Sequence, residues 1–144
     1  MKKVLLIIII LLTFITVTGC KNNKSAEKSP YKVTSDKITM EIKQGTLKNS
    51  SATIIMTNNT DEEYTYGEPY HLEIKENDTW YILEPKEDLF FIMPAYSLKN
   101  GDSVEKEYNW EYGYGNLKVG TYRLVTEFTK ETESIWVAAE FIIK

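Results

Sequence analysis

Apolar and polar residues alternate with a period of two along most of the chain after residue 36. Around Ile38, every second side chain is apolar and the side chains between them are polar. The same alternation recurs in five further segments, which include Ala52, Tyr70, Val104, Tyr122 and Ile135. Strands with one packed face and one solvated face are typical of antiparallel sheets, so the pattern predicts an all-β fold of about seven to eight strands.

Turn residues occur where these strands should end. Glu76-Asn77-Asp78 separates two runs closely enough for a hairpin, and Asn100-Gly101 supplies the left-handed backbone that a tight turn needs. Lys130 to Glu133 predicts a charged loop before the last strand. No segment after the N-terminal run shows a convincing helical period. Short strands and regular turns over about 108 residues are typical of a β-sandwich.

One tyrosine refines this interpretation. Tyr122 lies near the start of a long alternating strand, two residues after Gly120. In immunoglobulin-like sandwiches a tyrosine at this place sends its hydroxyl back to upstream backbone and braces the crossover between the sheets. We therefore predict this role for Tyr122, with a positive-φ turn at Gly120. The alternative is an ordinary strand tyrosine after an ordinary glycine turn.

The first twenty residues follow a different pattern. Two lysines precede an uncharged run over residues 4–19, which ends in Val17-Thr18-Gly19-Cys20. A basic start, an apolar run and small residues before a cysteine predict a bacterial lipoprotein signal peptide over residues 1–19, with lipid attached to Cys20. The alternatives are a transmembrane helix, for which the run is somewhat short, and a signal peptide with an incidental cysteine.

Cysteine content and charge narrow the function further. Cys20 is the only cysteine, so its acylation leaves no thiol for a disulfide, a redox pair or a metal. Residues 21–30 are polar and basic, which predicts a disordered linker over residues 20–36 and a domain over residues 37–144. That domain carries eleven basic and nineteen acidic residues, a net charge of about −8, which argues against nucleic-acid binding. Solubility explains the acidity better than an acidic binding surface does.

Four segments, in this order, resemble a known family: residues 58–67 (NNTDEEYTYG), residues 78–81 (DTWY), residues 98–103 (LKNGDS), and Trp110 followed by residues 114–123 (YGNLKVGTYR). They are similar to the bacterial immunoglobulin-like domains found in lipoproteins and membrane proteins of bacilli and related Firmicutes. Asn100 departs from the pattern, because proline is usual there. The resemblance implies an immunoglobulin-like sandwich and supplies no catalytic or ligand-binding residue. We expect Trp110 in the core and Trp80 inward with Ile82.

Candidates for chemistry are few. His71, the only histidine, falls on the polar face of its strand with no apparent nucleophile nearby. Asp61, Glu62 and Glu63 offer oxygen ligands for calcium, but without a glycine-containing ligand loop a solvated loop is favoured. We predict no catalytic residue, no metal site and no cofactor.

Aromatic residues recur at every second position over Tyr108, Trp110, Tyr112 and Tyr114. Such a row could stack on sugar rings or receive a partner protein. The favoured interpretation is that the first two fill the core and the last two pack near Leu117. Trp136 is the better binding candidate, because alternation places it outward, and the Asp61–Glu63 loop is the second.

The sequence therefore predicts a membrane-anchored extracellular lipoprotein whose domain is a non-catalytic binding or spacer module. We expect its partner to be a protein, a peptide or a cell-wall component. The alternative is an extracellular proteinase inhibitor or a ligand-sensing accessory lipoprotein. A small enzyme is a distant third.

Overall fold

The computed structural model describes residues 26–144, which form two antiparallel sheets and one short helix. The nine strands of this part of the chain are β1 (Ile38–Ile42), β2 (Ser51–Asn58), β3 (Tyr64–Tyr66), β4 (His71–Glu76), β5 (Thr79–Ile82), β6 (Tyr96–Leu98), β7 (Ser103–Asn109), β8 (Gly120–Lys130) and β9 (Glu133–Ile143). The one-turn helix α1 (Glu111–Tyr114) precedes β8 and was not expected from the sequence. The expected signal peptide and Cys20 lie outside the described residues.

The two sheets pack face to face around one core. The smaller sheet has the order β1-β2-β7, and the larger has the order β5-β4-β8-β3-β6 with β9 on the other side of β8. Strand β8 is central because it pairs with β4 through its first half, with β3 through its second half and with β9 throughout. The all-β sandwich is confirmed, and two three-residue strands raise the strand number above the expected seven to eight.

The predicted turns are present. Asn77 and Asp78 both have positive φ and join β4 to β5 in a two-residue hairpin. Gly101 adopts φ of 67° before β7, in the tight turn predicted at that position. Glu131, also at positive φ, lies in the charged turn between β8 and β9.

The tyrosine at the sheet crossover behaves as predicted, but its glycine does not. The hydroxyl of Tyr122 donates to the carbonyl of Lys118, four residues upstream, at 3.0 Å. Gly120 does not have positive φ, so that expectation was wrong. A Cβ atom at Gly120 would lie 3.0 Å from the Tyr122 ring, which indicates that close approach of the ring favours glycine here.

The tryptophans divide between the core and the outer face. Trp110 is fully buried as expected, and its Nε1–H donates to the Asn49 carbonyl at 2.9 Å. Trp80 was expected inward with Ile82, and this was wrong. Trp80 pairs in register with Lys75, and Ile82 pairs with Glu73, whose side chain faces outward. Trp80 and Ile82 therefore both face away from the core. In the aromatic row, Tyr108 and Tyr114 are buried, whereas Tyr112 is 69% exposed instead of packed.

The folded part begins earlier than expected. Residues 27–34, here called the strap, were assigned to the linker that ended at residue 36, but they pack against the larger sheet. Lys28 bridges Tyr81 at the free edge of β5, and Val33 bridges Trp136 on β9. The strap thus crosses the outer face of the sheet from one side to the other. The boundary expected at Lys37 was therefore placed too late.

Candidate functional site

A buried polar cluster lies between the strap and the outer face of the larger sheet. Strand pairing creates it, because Glu73 on β4 and Arg123 on β8 are direct partners in the antiparallel register. Their side chains lie on the same face, and the strap adds Ser29 above them. Glu73 is fully buried even though its position in the alternating pattern is a solvent-facing one.

Four donors satisfy the Glu73 carboxylate. Arg123 approaches Oε2 through Nε at 2.7 Å and through Nη2 at 2.6 Å. Ser29 Oγ donates to Oε1 at 2.7 Å, and His71 Nε2 lies 2.9 Å from the same oxygen. Because a carboxylate only accepts hydrogen bonds, His71 Nε2 must carry the proton of this contact. The Trp80 ring lies 4.4 Å from the guanidinium carbon of Arg123, a cation–π contact that covers the pair.

These contacts keep Glu73 ionised. Burial alone would raise the pKa of Glu73, but the hydrogen bonds from His71, Ser29 and Arg123 and the charge of Arg123 outweigh it, and the pKa lies below its ordinary value. The charge is thus compensated where it is buried, as a stable interior ion pair requires. The cluster fastens the strap to the sheet.

The same residues include a serine, a histidine and a carboxylate, but their order does not match a hydrolytic triad. In a triad the histidine lies between the nucleophile and the carboxylate and takes the proton of the nucleophile. Here the carboxylate lies between them, and the Ser29 hydroxyl donates to Glu73 rather than to His71. The geometry supports a structural network, and Ser29 has no histidine base.

The predicted binding residue Trp136 is covered by the strap. The Tyr31 ring lies 4.4 Å from the rings of both Trp136 and His71. The Thr34 amide also donates to the Trp136 carbonyl at 2.9 Å. Trp136 does face outward, as its alternation indicated, but it is half-buried and packs against the protein's own chain. The expectation of an exposed contact residue at this position was therefore wrong.

The acidic residues of the second binding candidate do not converge. All three are exposed, in agreement with a solvated loop. Glu62 forms an ion pair with Lys130, and Glu63 accepts a hydrogen bond from Ser97 at 2.5 Å. Within residues 26–144 no group of three histidine, cysteine or acidic side chains could hold a metal ion.

Comparison with known families agrees with this architecture. A family model described as a bacterial Ig-like domain matches residues 25–142, which is most of the chain. The chain belongs to the bacterial Ig-like domain family. The match begins before the strap and so includes it in the domain. Searches of curated proteins and of solved structures found no match.

Several tyrosines of this bacterial Ig-like domain surround a lysine instead of forming an open stacking surface. Lys106 Nζ lies between 4.9 and 5.6 Å from the ring centres of Tyr66, Tyr96 and Tyr108. Glu68 pairs with Lys106 at 3.0 Å, and a hydrogen bond from Tyr96 and the contacts with Lys106 lower the pKa of Glu68. The domain's own lysine thus fills the space between the three rings.

The sequence contained only a faint signal for the strap site. Glu73 and Arg123 occupied positions that alternation assigned to solvent, and nothing local distinguished them. The apolar side chains of Tyr31 and Val33 within a polar stretch were the available sign that this segment packs. Among the residues described, no helix is long and apolar enough to cross a membrane.

Proposed function

We propose that this bacterial Ig-like domain is a non-catalytic binding or spacer module, held at the outer surface of the cell membrane by lipid on Cys20. The single observation that carries the non-catalytic part is the saturated Glu73 carboxylate. The chain's only histidine and its buried ion pair are used to fasten the strap, and the strap covers them. The four donors of this cluster occupy both oxygens of the Glu73 carboxylate, so this carboxylate has no acceptor position left for a substrate proton.

Because the strap is attached to the sheet, the proposed anchor would also hold the domain at a short distance from the membrane. Six residues lie between Cys20, which would carry the proposed lipid, and Glu27. The Glu27 carbonyl accepts a hydrogen bond from the Ile82 amide at 2.8 Å, the first backbone hydrogen bond in the described part of the chain. The seven Cα–Cα steps from Cys20 to Glu27 span about 15 Å as a coil and at most about 25 Å when extended. This reach suits a partner close to the bilayer.

Metabolic labelling with a fatty acid tests the anchor. The wild type should incorporate the label and lose residues 1–19, and Cys20→Ser should do neither. Thr18→Ala is the matched control, because it keeps a small residue in the segment and should be processed normally. Cleavage and labelling of Cys20→Ser at the wild-type level would show that the anchor assignment is wrong.

Partner recovery after cross-linking on intact cells tests the binding role. His71→Ala should recover the same partner as the wild type, provided that the variant is folded, because the proposed function requires no base. Loss of function in a folded His71→Ala protein would support an enzyme instead.

A further inference from the structure

A short loop concentrates exposed apolar side chains. Of seven large hydrophobic residues exposed in the described part of the chain, three lie within four residues of one another: Phe90 (88% exposed), Ile92 (76%) and Met93 (83%). They belong to residues 83–95, here called the β5–β6 loop. Single exposed apolar residues are ordinary, but a cluster on a protein surface marks a place of interaction.

The fold imposes this exposure. The Lys86 amide donates to the Gly113 carbonyl at 2.6 Å, and Leu89 packs so closely on Gly113 that a Cβ there would lie 2.3 Å from Leu89. The Phe91 ring packs edge-on against Tyr70 with ring centres 5.5 Å apart. Leu89 and Phe91 therefore point inward and hold the loop, and this leaves Phe90 between them outward.

The chain that leads to Cys20 leaves the domain beside this loop. Glu27 pairs with Ile82, the last residue of β5, and the strap is antiparallel to β5 at this edge. The N-terminal end of the strap at Glu27 therefore points in the direction in which β5 runs into the loop. With at most about 25 Å between Cys20 and Glu27, a lipid on Cys20 keeps this edge of the domain next to the bilayer.

We propose that Phe90, Ile92 and Met93 insert into the interface of the bilayer that carries the anchor. This inference rests on the proposed lipid anchor. Large apolar side chains enter the boundary between headgroups and acyl chains, which takes them out of water. The anchor and the loop then hold the domain at two points, which fixes its orientation on the membrane.

The charges around the loop indicate which lipid headgroups the loop would meet. Glu87 and Asp88 are exposed and precede Phe90 by three and two residues, and the domain as a whole is acidic. An anionic surface repels such a domain. Insertion should therefore occur on zwitterionic phosphatidylcholine vesicles and should not require anionic lipid.

A fluorescent label can locate the loop, because an acylated Cys20 leaves an introduced cysteine as the chain's only free thiol. Met93→Cys carries an environment-sensitive dye. Ile142→Cys is the matched control, since Ile142 is an apolar residue that is 57% exposed and lies on β9, on the other side of β8 from β5. Both proteins are purified in the lipidated form, checked by mass and inserted into phosphatidylcholine vesicles that contain brominated lipid.

The dye at residue 93 should be quenched by brominated lipid at least about fivefold more strongly than the dye at residue 142. Adding Phe90→Asp and Ile92→Asp should bring the quenching at residue 93 to the level of the control, while the acyl chains keep the protein on the vesicles. Equal quenching at residues 93 and 142 in a lipidated protein would overturn the proposal and leave the anchor intact.

Two other outcomes would also overturn it. The dye response could follow the density of protein on the vesicle and be insensitive to brominated lipid. This result would show that the loop contacts a second copy of the chain. A protein whose mass lacks acyl chains would remove the anchor and, with it, the basis of the loop proposal.

Discussion

Glu73→Gln is the sharpest test of the strap cluster, because it removes a buried charge without changing the size of the side chain. Glu73 is fully buried and the Arg123 side chain is only 8% exposed, so the variant leaves the guanidinium buried without its counter-charge. Breaking one side of a buried ion pair costs about 3 to 5 kcal/mol. Glutamine can still accept one of the N–H groups, so we expect a loss near the lower value, about 3 kcal/mol.

Thermal unfolding of the full chain in mild detergent, followed by near-UV circular dichroism, measures this loss. For a domain of this size, a loss of about 3 kcal/mol lowers Tm by roughly 10 to 15 °C. Glu140→Gln is the control. Glu140 is the other register partner of Arg123, lies on β9 and is exposed, and its substitution makes the same change in net charge. We expect the control to change stability by no more than about 0.5 kcal/mol.

The strap itself provides a second readout of the same substitution. Ser29 and His71 both lose the carboxylate that they contact, so the strap should detach more readily and trypsin should cleave after Lys28 or Lys32 faster than in the wild type. If Glu73→Gln matched Glu140→Gln in both Tm and cleavage rate, the cluster would not hold the strap, and this reasoning would be refuted.

Three further results follow from the structure. Burial raises the pKa of Glu73, but the hydrogen bonds from His71, Ser29 and Arg123 and the charge of Arg123 outweigh it, so the pKa is lowered in the folded protein. The stabilisation is therefore present above the unfolded carboxyl value of about 4.3 and is lost as pH falls below it toward the folded pKa. In an acid titration of Tm, the wild type should lose more stability than Glu73→Gln. Tyr122→Phe should cost about 1 kcal/mol in urea unfolding, since the Lys118 carbonyl loses its donor, and an unchanged midpoint would remove this bond from the account. Trp110→Ala should cost about 3 to 5 kcal/mol because Trp110 is fully buried, whereas Trp80→Ala should cost clearly less, and equal losses in the same assay would contradict the outward position of Trp80.

Local pattern was sufficient for the strands and for several turns. Alternation reports which side chains share a face, because successive side chains of a strand point in opposite directions. It therefore placed His71 and Trp136 outward, and it put Trp110 on one face with Tyr108, which the family resemblance then assigned to the core. The turn residues Asn77-Asp78 located the hairpin. The role of Tyr122 could also be predicted, because this device acts over only four residues of sequence.

The errors arose where a side chain's environment depends on distant parts of the chain. Trp80 was expected in the core together with Ile82, but its pairing with Lys75 fixes it on the face of Glu73, and this face is set by sheet register. Gly120 was expected to adopt positive φ, whereas the feature that favours glycine at this position is the close approach of the Tyr122 ring.

The strap shows most clearly what only the tertiary structure decided. By itself, the sequence of residues 27–34 is too polar to predict packing, and Glu73 sits in an alternating strand as a solvent-facing residue would. Their contact joins residues 44 positions apart, and the two Arg123 bonds to Glu73 join residues 50 positions apart. Alternation determines two faces for each strand, but it carries no information about what covers the outer one. Only the folded chain brings Ser29 and Tyr31 onto that face, where a buried carboxylate is stable because four donors surround it.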